Sequence, residues 1–231
     1  MKIDKYFGLK PGSLGDPNHY LGAKVRQMTM ENGVICWAMS GSQYVQEAVR
    51  NVRNELSKID GDRWKLPKQA VNPFPMDYDV ETDVTPELGP ELASKYQSWI
   101  GVLRWMVELG RVDVITEASL LSSQLALPRE SHLEALLHLF AHLGDKHNAR
   151  LALDPTYPEI DQDAFIDCDW KNYYGNVEEA IPPNAPTPRG KDVDLRMYVD
   201  SDHAGEKKTR RSRTGFFIFL NSALITSLSR R

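Results

Sequence analysis

Between residues 181 and 188 the chain reads Ile-Pro-Pro-Asn-Ala-Pro-Thr-Pro, four prolines in eight residues. A proline donates no backbone hydrogen bond and holds φ near about −65°, so this segment can build neither a helix nor the interior of a sheet. The wider run 154–190, dense in Pro, Asp and Asn, therefore predicts an extended linker, with one short strand expected between Asp163 and Trp170. The segments on either side of the linker must each satisfy their own backbone and bury their own apolar side chains.

Ahead of the linker the patterning changes twice. Leu21, Ala23 and Val25, then Val34 and Cys36, alternate with polar residues around Glu31-Asn32-Gly33, which predicts a β-hairpin because Asn-Gly readily takes positive φ. Ser42 is positioned as a helix N-cap, and Tyr44, Val45, Ala48, Val49, Val52 and Leu56 recur at helical steps, so a helix is expected to run to about Ile59 before Gly61. Residues 66–90 carry Pro and Asp without a core-forming period and read as loop. Three helical runs come after it: Leu92 to Val107, with Gly101 available for close approach; Val112 to Leu125; and one opened by Pro128, in which Leu133, Leu136, Leu137, Phe140 and Ala141 share a face. They predict a small bundle, and the chain as a whole reads as α+β.

The linker leads into Tyr198-Val199-Asp200-Ser201-Asp202-His203-Ala204-Gly205, a strand that delivers a carboxylate. A basic turn with Lys207, Lys208, Arg210, Arg211 and Arg213 comes next, and then Thr214 to Leu220, an aromatic strand expected to pair back on the first. Asp200 reads either as a magnesium ligand or as an exposed strand-end aspartate. A two-ion phosphodiester site needs several oxygen ligands held together, which one aspartate and a neighbour do not supply. The basic turn reads equally as a grip on phosphates, through bidentate guanidinium contacts, or as a solvated loop that discourages edge pairing.

Charge narrows the function classes. The net charge of −4 excludes a chain that coats nucleic acid along its whole surface, because that requires Lys and Arg throughout. Acidic residues gather at 76–91 and 159–179, which predicts solvated acidic linkers around one basic contact surface. Cys36 and Cys168 lack metal-ligand spacing and read as reduced structural residues. No run reaches the roughly 20 apolar residues of a membrane span, and the start lacks the apolar segment of a signal peptide, so a soluble intracellular protein is expected. His132, His138 and His142 lack a carboxylate or cysteine to complete a tetrahedral metal site and read as surface or half-buried residues. Tyr96, Trp99 and Trp105 could stack on bases, but their helical spacing predicts core.

The order Tyr-x-Asp-x-Asp-x-Ala-Gly, basic turn, aromatic strand resembles the opening hairpin of the ribonuclease H domain in copia-type retrotransposon polyproteins. Three upstream segments resemble the same polyprotein in the same order. His19 to Val25, Gly33-Val34-Ile35 and Ser42-Gln43-Tyr44-Val45 are similar to the strand, hairpin and helix start that close the reverse transcriptase palm. Tyr96 to Met106 followed by Arg111-Val112-Asp113-Val114 resembles a helix and its Arg-Pro-Asp-Ile sequel, with Val112 in place of the proline. Pro128 to Leu143, including His132, resembles the helix before the ribonuclease H linker, and His203 stands where the family usually has Trp.

The resemblance implies an end of the palm at 1–65, a loop at 66–90, a thumb or connection region at 91–153, a Pro-rich linker at 154–190 and a partial, truncated ribonuclease H-like domain at 191–231. It implies RNA-directed DNA synthesis and cleavage of RNA in hybrids by intact relatives, with Mg2+ at both sites. Asp200 would be one metal ligand, Asp202 the weaker candidate, and the five basic residues the nucleic-acid contact. The polymerase Asp pair is expected before residue 1 and the remaining ribonuclease carboxylates after residue 231, making the chain the interior of a polyprotein and inactive by itself. Implied partners are an RNA–DNA hybrid or template–primer and the rest of the polyprotein, in the cytoplasm, in virus-like particles or in the nucleus. The alternative is a non-catalytic, domesticated or decayed nucleic-acid-binding product.

Overall fold

Asn32 and Gly33 turn the first hairpin, but more widely than a two-residue loop. Strand β2 (Ala23–Thr29) ends and β3 (Ile35–Ser40) begins with five residues between them. Only Gly33 takes positive φ there, at 82°, while the Asn32 side-chain oxygen accepts the Val34 N–H at 3.1 Å. The computed structural model describes residues 8, 15–59, 63–76, 78–159, 171–176, 180, 182–187, 190–207 and 209–230. The strand expected within Asp163–Trp170, together with Cys168, Lys208 and Gly61, lies outside these residues.

Two antiparallel sheets and a set of helices make up the described chain, which is α+β. The first sheet runs β1 (His19–Tyr20), β2, β3, β4 (Leu151–Leu153). β4 is a correction to the sequence reading: three residues offer no alternation to detect, and Leu151–Leu153 is made a strand by pairing with Trp37, Ala38 and Met39 of β3. Helix α1 (Ser42–Leu56) starts one residue earlier than predicted. Gly41 holds the N-cap position, and the Ser42 hydroxyl instead meets His147 Nδ1 at 2.8 Å.

Helix α1 packs against α2 (Pro90–Glu108) and α4 (Glu130–Asp145), and α3 (Ile115–Ser122, preceded by a 3-10 turn at Val112–Val114) packs on α2, all in one core. Val45, Ala48, Val49, Val52 and Leu56 of α1 are buried, as their spacing predicts. Tyr96 of α2 is fully buried and its hydroxyl donates to the Leu121 carbonyl of α3 at 2.8 Å. Trp99 Nε1 donates to Glu55 Oε2 of α1 at 3.1 Å. Two expectations on α2 fail: Trp105 is exposed rather than core, and Gly101 faces open space rather than a neighbouring helix.

Helix α4 is buried on nearly every side, Leu139 and Leu143 included, because the loop 66–90 covers the face that its sequence pattern leaves outward. Three histidines hold that loop. His132 Nε2 donates to Val80 O at 3.1 Å, His138 Nε2 to Asn72 O at 3.0 Å and His142 Nδ1 to Ala70 O at 3.1 Å. His132 and His142 are thus buried, not surface residues, and the loop lacks a core-forming period yet belongs to the core's wall. The remaining nitrogen of His132, Nδ1, accepts the Arg129 N–H at 3.0 Å, which fixes its tautomer and caps α4.

Past α5 (Lys171–Tyr174), the second sheet runs β5 (Leu195–Ser201), β6 (Thr214–Leu220), β7 (Ala223–Arg230). The aromatic strand β6 is central, paired on both sides, so it is not the open apolar edge that two strands alone would leave. Asn221, at φ 53°, makes the tight β6–β7 turn, and its Nδ2 donates to Pro155 O at 3.0 Å while Ser222 N–H donates to Thr156 O at 3.0 Å. Those bonds fasten the start of the predicted linker to the second sheet. Beyond them a cleft of about 800 Å3 opens between β7 and the helical body. No helix among the described residues is long and apolar enough to cross a membrane.

Candidate nucleic-acid interface

Strand alternation places Arg196, Tyr198 and Asp200 on one face of β5, opposite Phe219, Phe217 and Gly215 of β6. Asp200 therefore lies one residue before the end of β5, on the same face as Arg196 and Tyr198. A cavity of about 350 Å3 lies there, lined by Thr116 of α3 together with Tyr198, Asp200, Asp202, Arg213 and Phe217. Asp200 is exposed, and no described residue donates a hydrogen bond to its carboxylate.

Asp202 is occupied. Its Oδ1 accepts the Arg213 N–H at 2.7 Å and the Gly205 N–H at 3.3 Å, closing the two ends of the basic turn on one carboxylate. A Cβ on Gly205 would sit 2.3 Å from Asp202 Oδ2, so the turn requires glycine there for proximity rather than for φ. Glu206 is buried and organises the rest: its Oε2 accepts the Thr209 N–H at 3.2 Å, its carbonyl the Arg210 N–H at 2.9 Å.

The four basic residues of the turn that the structure describes separate into distinct environments. Lys207 is bound to the 66–90 loop, its Nζ to Asp79 and its N–H to Glu81 Oε2 at 3.0 Å. The hydrogen bond from Lys207 holds the Asp79 carboxyl below its usual range, and Asp79 in turn raises the Lys207 ammonium. The Arg213 guanidinium donates to Ser119 Oγ of α3 at 2.6 Å. Arg210 and Arg211 point into solvent, Arg210 from a left-handed backbone at φ 58°. The acidic stretch expected to be a solvated linker is therefore partly a docking partner for the basic turn. Asp79, Glu81 and Glu206 escaped the sequence reading; complementary charge was visible, but no local pattern pairs segments so far apart.

The residues present do not fit a two-ion magnesium site. Asp202 is committed to backbone N–H groups, and the described residues contain no cluster of three or more His, Cys, Asp or Glu able to hold a metal. No protein-family model, curated protein or solved structure matches the chain.

Proposed function

We propose that the chain is a segment of a copia-type retroelement polyprotein that binds an RNA–DNA hybrid or template–primer through the turn of its C-terminal sheet and does not itself cut it. The observation that carries this reading is the pair of exposed guanidinium groups, Arg210 and Arg211, neither engaged in an ion pair or side-chain hydrogen bond with a described residue, on the turn between β6 and the strand that bears Asp200. Arginines in this setting bind phosphate bidentately. The ribonuclease H-like relationship of the sheet rests on the motif order Tyr198 to Phe219 and on the three similar segments upstream. Because the described carboxylates do not assemble a metal site, the non-catalytic alternative, a domesticated or decayed binding module, is the form of the reading that the donor set favours. Catalysis in an intact relative would need carboxylates contributed from outside these residues.

Fluorescence anisotropy of a labelled RNA–DNA hybrid across a salt series tests this. Wild type should bind with log affinity falling linearly in log salt, and Arg210→Gln with Arg211→Gln should lower affinity at every salt and flatten the slope by roughly 1–2 units. These two side chains form no hydrogen bond or ion pair with another described residue, so the fold is expected to persist, as circular dichroism would verify. An unchanged slope in the double variant would sink the proposal.

A further inference from the structure

A second cationic surface lies far from the basic turn in sequence and on the other sheet. Lys24 and Arg26 are two residues apart on β2 and so project from the same face. Lys24 is opposite Ser40 in the β2–β3 register, and the Ser40 hydroxyl donates to Ala149 O at 3.2 Å, which brings Arg150, just before β4, alongside. Lys24, Arg26 and Arg150 line one cavity of about 420 Å3 with Gln43, Gln46 and Asn148, and no aspartate or glutamate lines it. All three cations are exposed, and none forms an ion pair or hydrogen bond with another described residue. The Glu47 carboxylate on α1 accepts the Gln43 side-chain N–H at 3.0 Å and forms no ion pair with the three cations.

Gathering three positive charges around a concavity without a counter-charge costs self-repulsion, and low-dielectric walls focus their field into the space between them. Gln43, Gln46, Ser40 and Ser42 are already engaged with Glu47, His147 and the Ala149 carbonyl, so the three cations are the recognition element of the cavity. We propose that this cavity binds phosphoryl groups, with Arg26 and Arg150 as the bidentate contacts and Lys24 as the third charge. The phosphoryl groups could belong to a nucleic-acid strand or to a free polyphosphate; the recognition chemistry is shared. The site is independent of the basic turn and stands whether or not that turn binds a hybrid.

The test uses the full chain with Arg26→Gln plus Arg150→Gln, and Lys24→Gln as a second variant, beside the Arg210/Arg211 variant. Inorganic pyrophosphate is titrated by calorimetry, and the labelled hybrid by anisotropy at low salt. If the ligand is a free polyphosphate, wild type binds pyrophosphate and the cavity variants lose about tenfold, while the basic-turn variant matches wild type. If it is a strand, pyrophosphate binds only weakly, hybrid affinity falls about fivefold to tenfold in the cavity variants, and the loss adds to that of the basic-turn variant. Hybrid binding that depends on the cavity but not on Arg210 and Arg211 would support this site while overturning the function proposed for the turn. Cavity variants indistinguishable from wild type toward both probes would overturn the site.

Discussion

The helical body and the C-terminal sheet spend their apolar residues in opposite ways. In the body, Tyr96, Leu103, Leu136 and Phe140 are fully buried, and even the loop 66–90 is drawn over α4. In the sheet, Leu195 is 66%, Met197 55% and Val199 60% exposed, and Phe217 and Leu228 are also open. The sheet meets the body where β7 lies beside α3 and β4, and through polar bonds, Arg213 to Ser119 and Lys207 to Asp79 among them, with the cleft beside β7 between. A packed body draws its stability from side-chain burial; the sheet must draw its own from the β5–β6–β7 ladder, for which three strands are about the minimum. The contrast suits a division of labour in which the body is scaffold and the sheet presents a surface.

The largest expected effect separates the two regions by stability. Phe140→Ala should cost about 3–5 kcal/mol of unfolding free energy, through lost burial and a cavity at the centre of α4, whereas Met197→Ser should cost less than about 0.5 kcal/mol. Urea denaturation followed by tryptophan fluorescence measures both. Equal costs would mean that the sheet's apolar face is covered in solution. Smaller, at roughly 1 kcal/mol, is the effect of Tyr96→Phe, which removes the buried hydroxyl bond to the Leu121 carbonyl while the Gln124 N–H still donates to that carbonyl. Gly205→Ala should be of similar size but confined to the sheet, because the new methyl group displaces Asp202 from the two N–H groups it holds. Thermal unfolding of the body would then be unchanged while amides near residues 202–213 exchange faster.

The smallest effect carries a pH signature. Burial raises the Glu117 carboxyl above its usual range, with a lesser contribution from Asp113, partly opposed by its own backbone hydrogen bond and by His142. The folded state therefore holds that proton more tightly than the unfolded chain does. Its contribution to stability is fully present below the ordinary glutamate pKa and is lost as pH rises through the folded-state value. Glu117→Gln should gain about 0.5 kcal/mol near neutral pH, reduced by the partial exposure of the site, and nothing at acidic pH. A gain that persists in acid would assign the effect to packing instead.

Much of the body is legible in its sequence because burial there tracks local period. Val45 to Leu56 declares α1, and Leu133 to Ala141 declares one face of α4. Reading stops where partners are distant. β4 exists only because β3 offers an edge, and the imidazoles of α4 reveal nothing of the carbonyls they bind. Trp105 shows the limit of period itself, since it shares the aromatic character of Trp99 but falls on the outward side of α2. At the candidate interface, the strand delivering Asp200 and the turn after it are readable from alternation and charge. That Asp202 would be consumed by backbone N–H groups, and Lys207 by Asp79, is set by three-dimensional closure of the turn and has no linear signature.

The most direct test of the claim that the sheet's turn is the binding surface is hydrogen exchange of the full chain with and without a saturating RNA–DNA hybrid. Added protection at the amides of Gly205 to Arg213 and at the end of β5, with α4 unchanged, is the predicted result. Bound hybrid that leaves those amides exchanging at their free rates would contradict it.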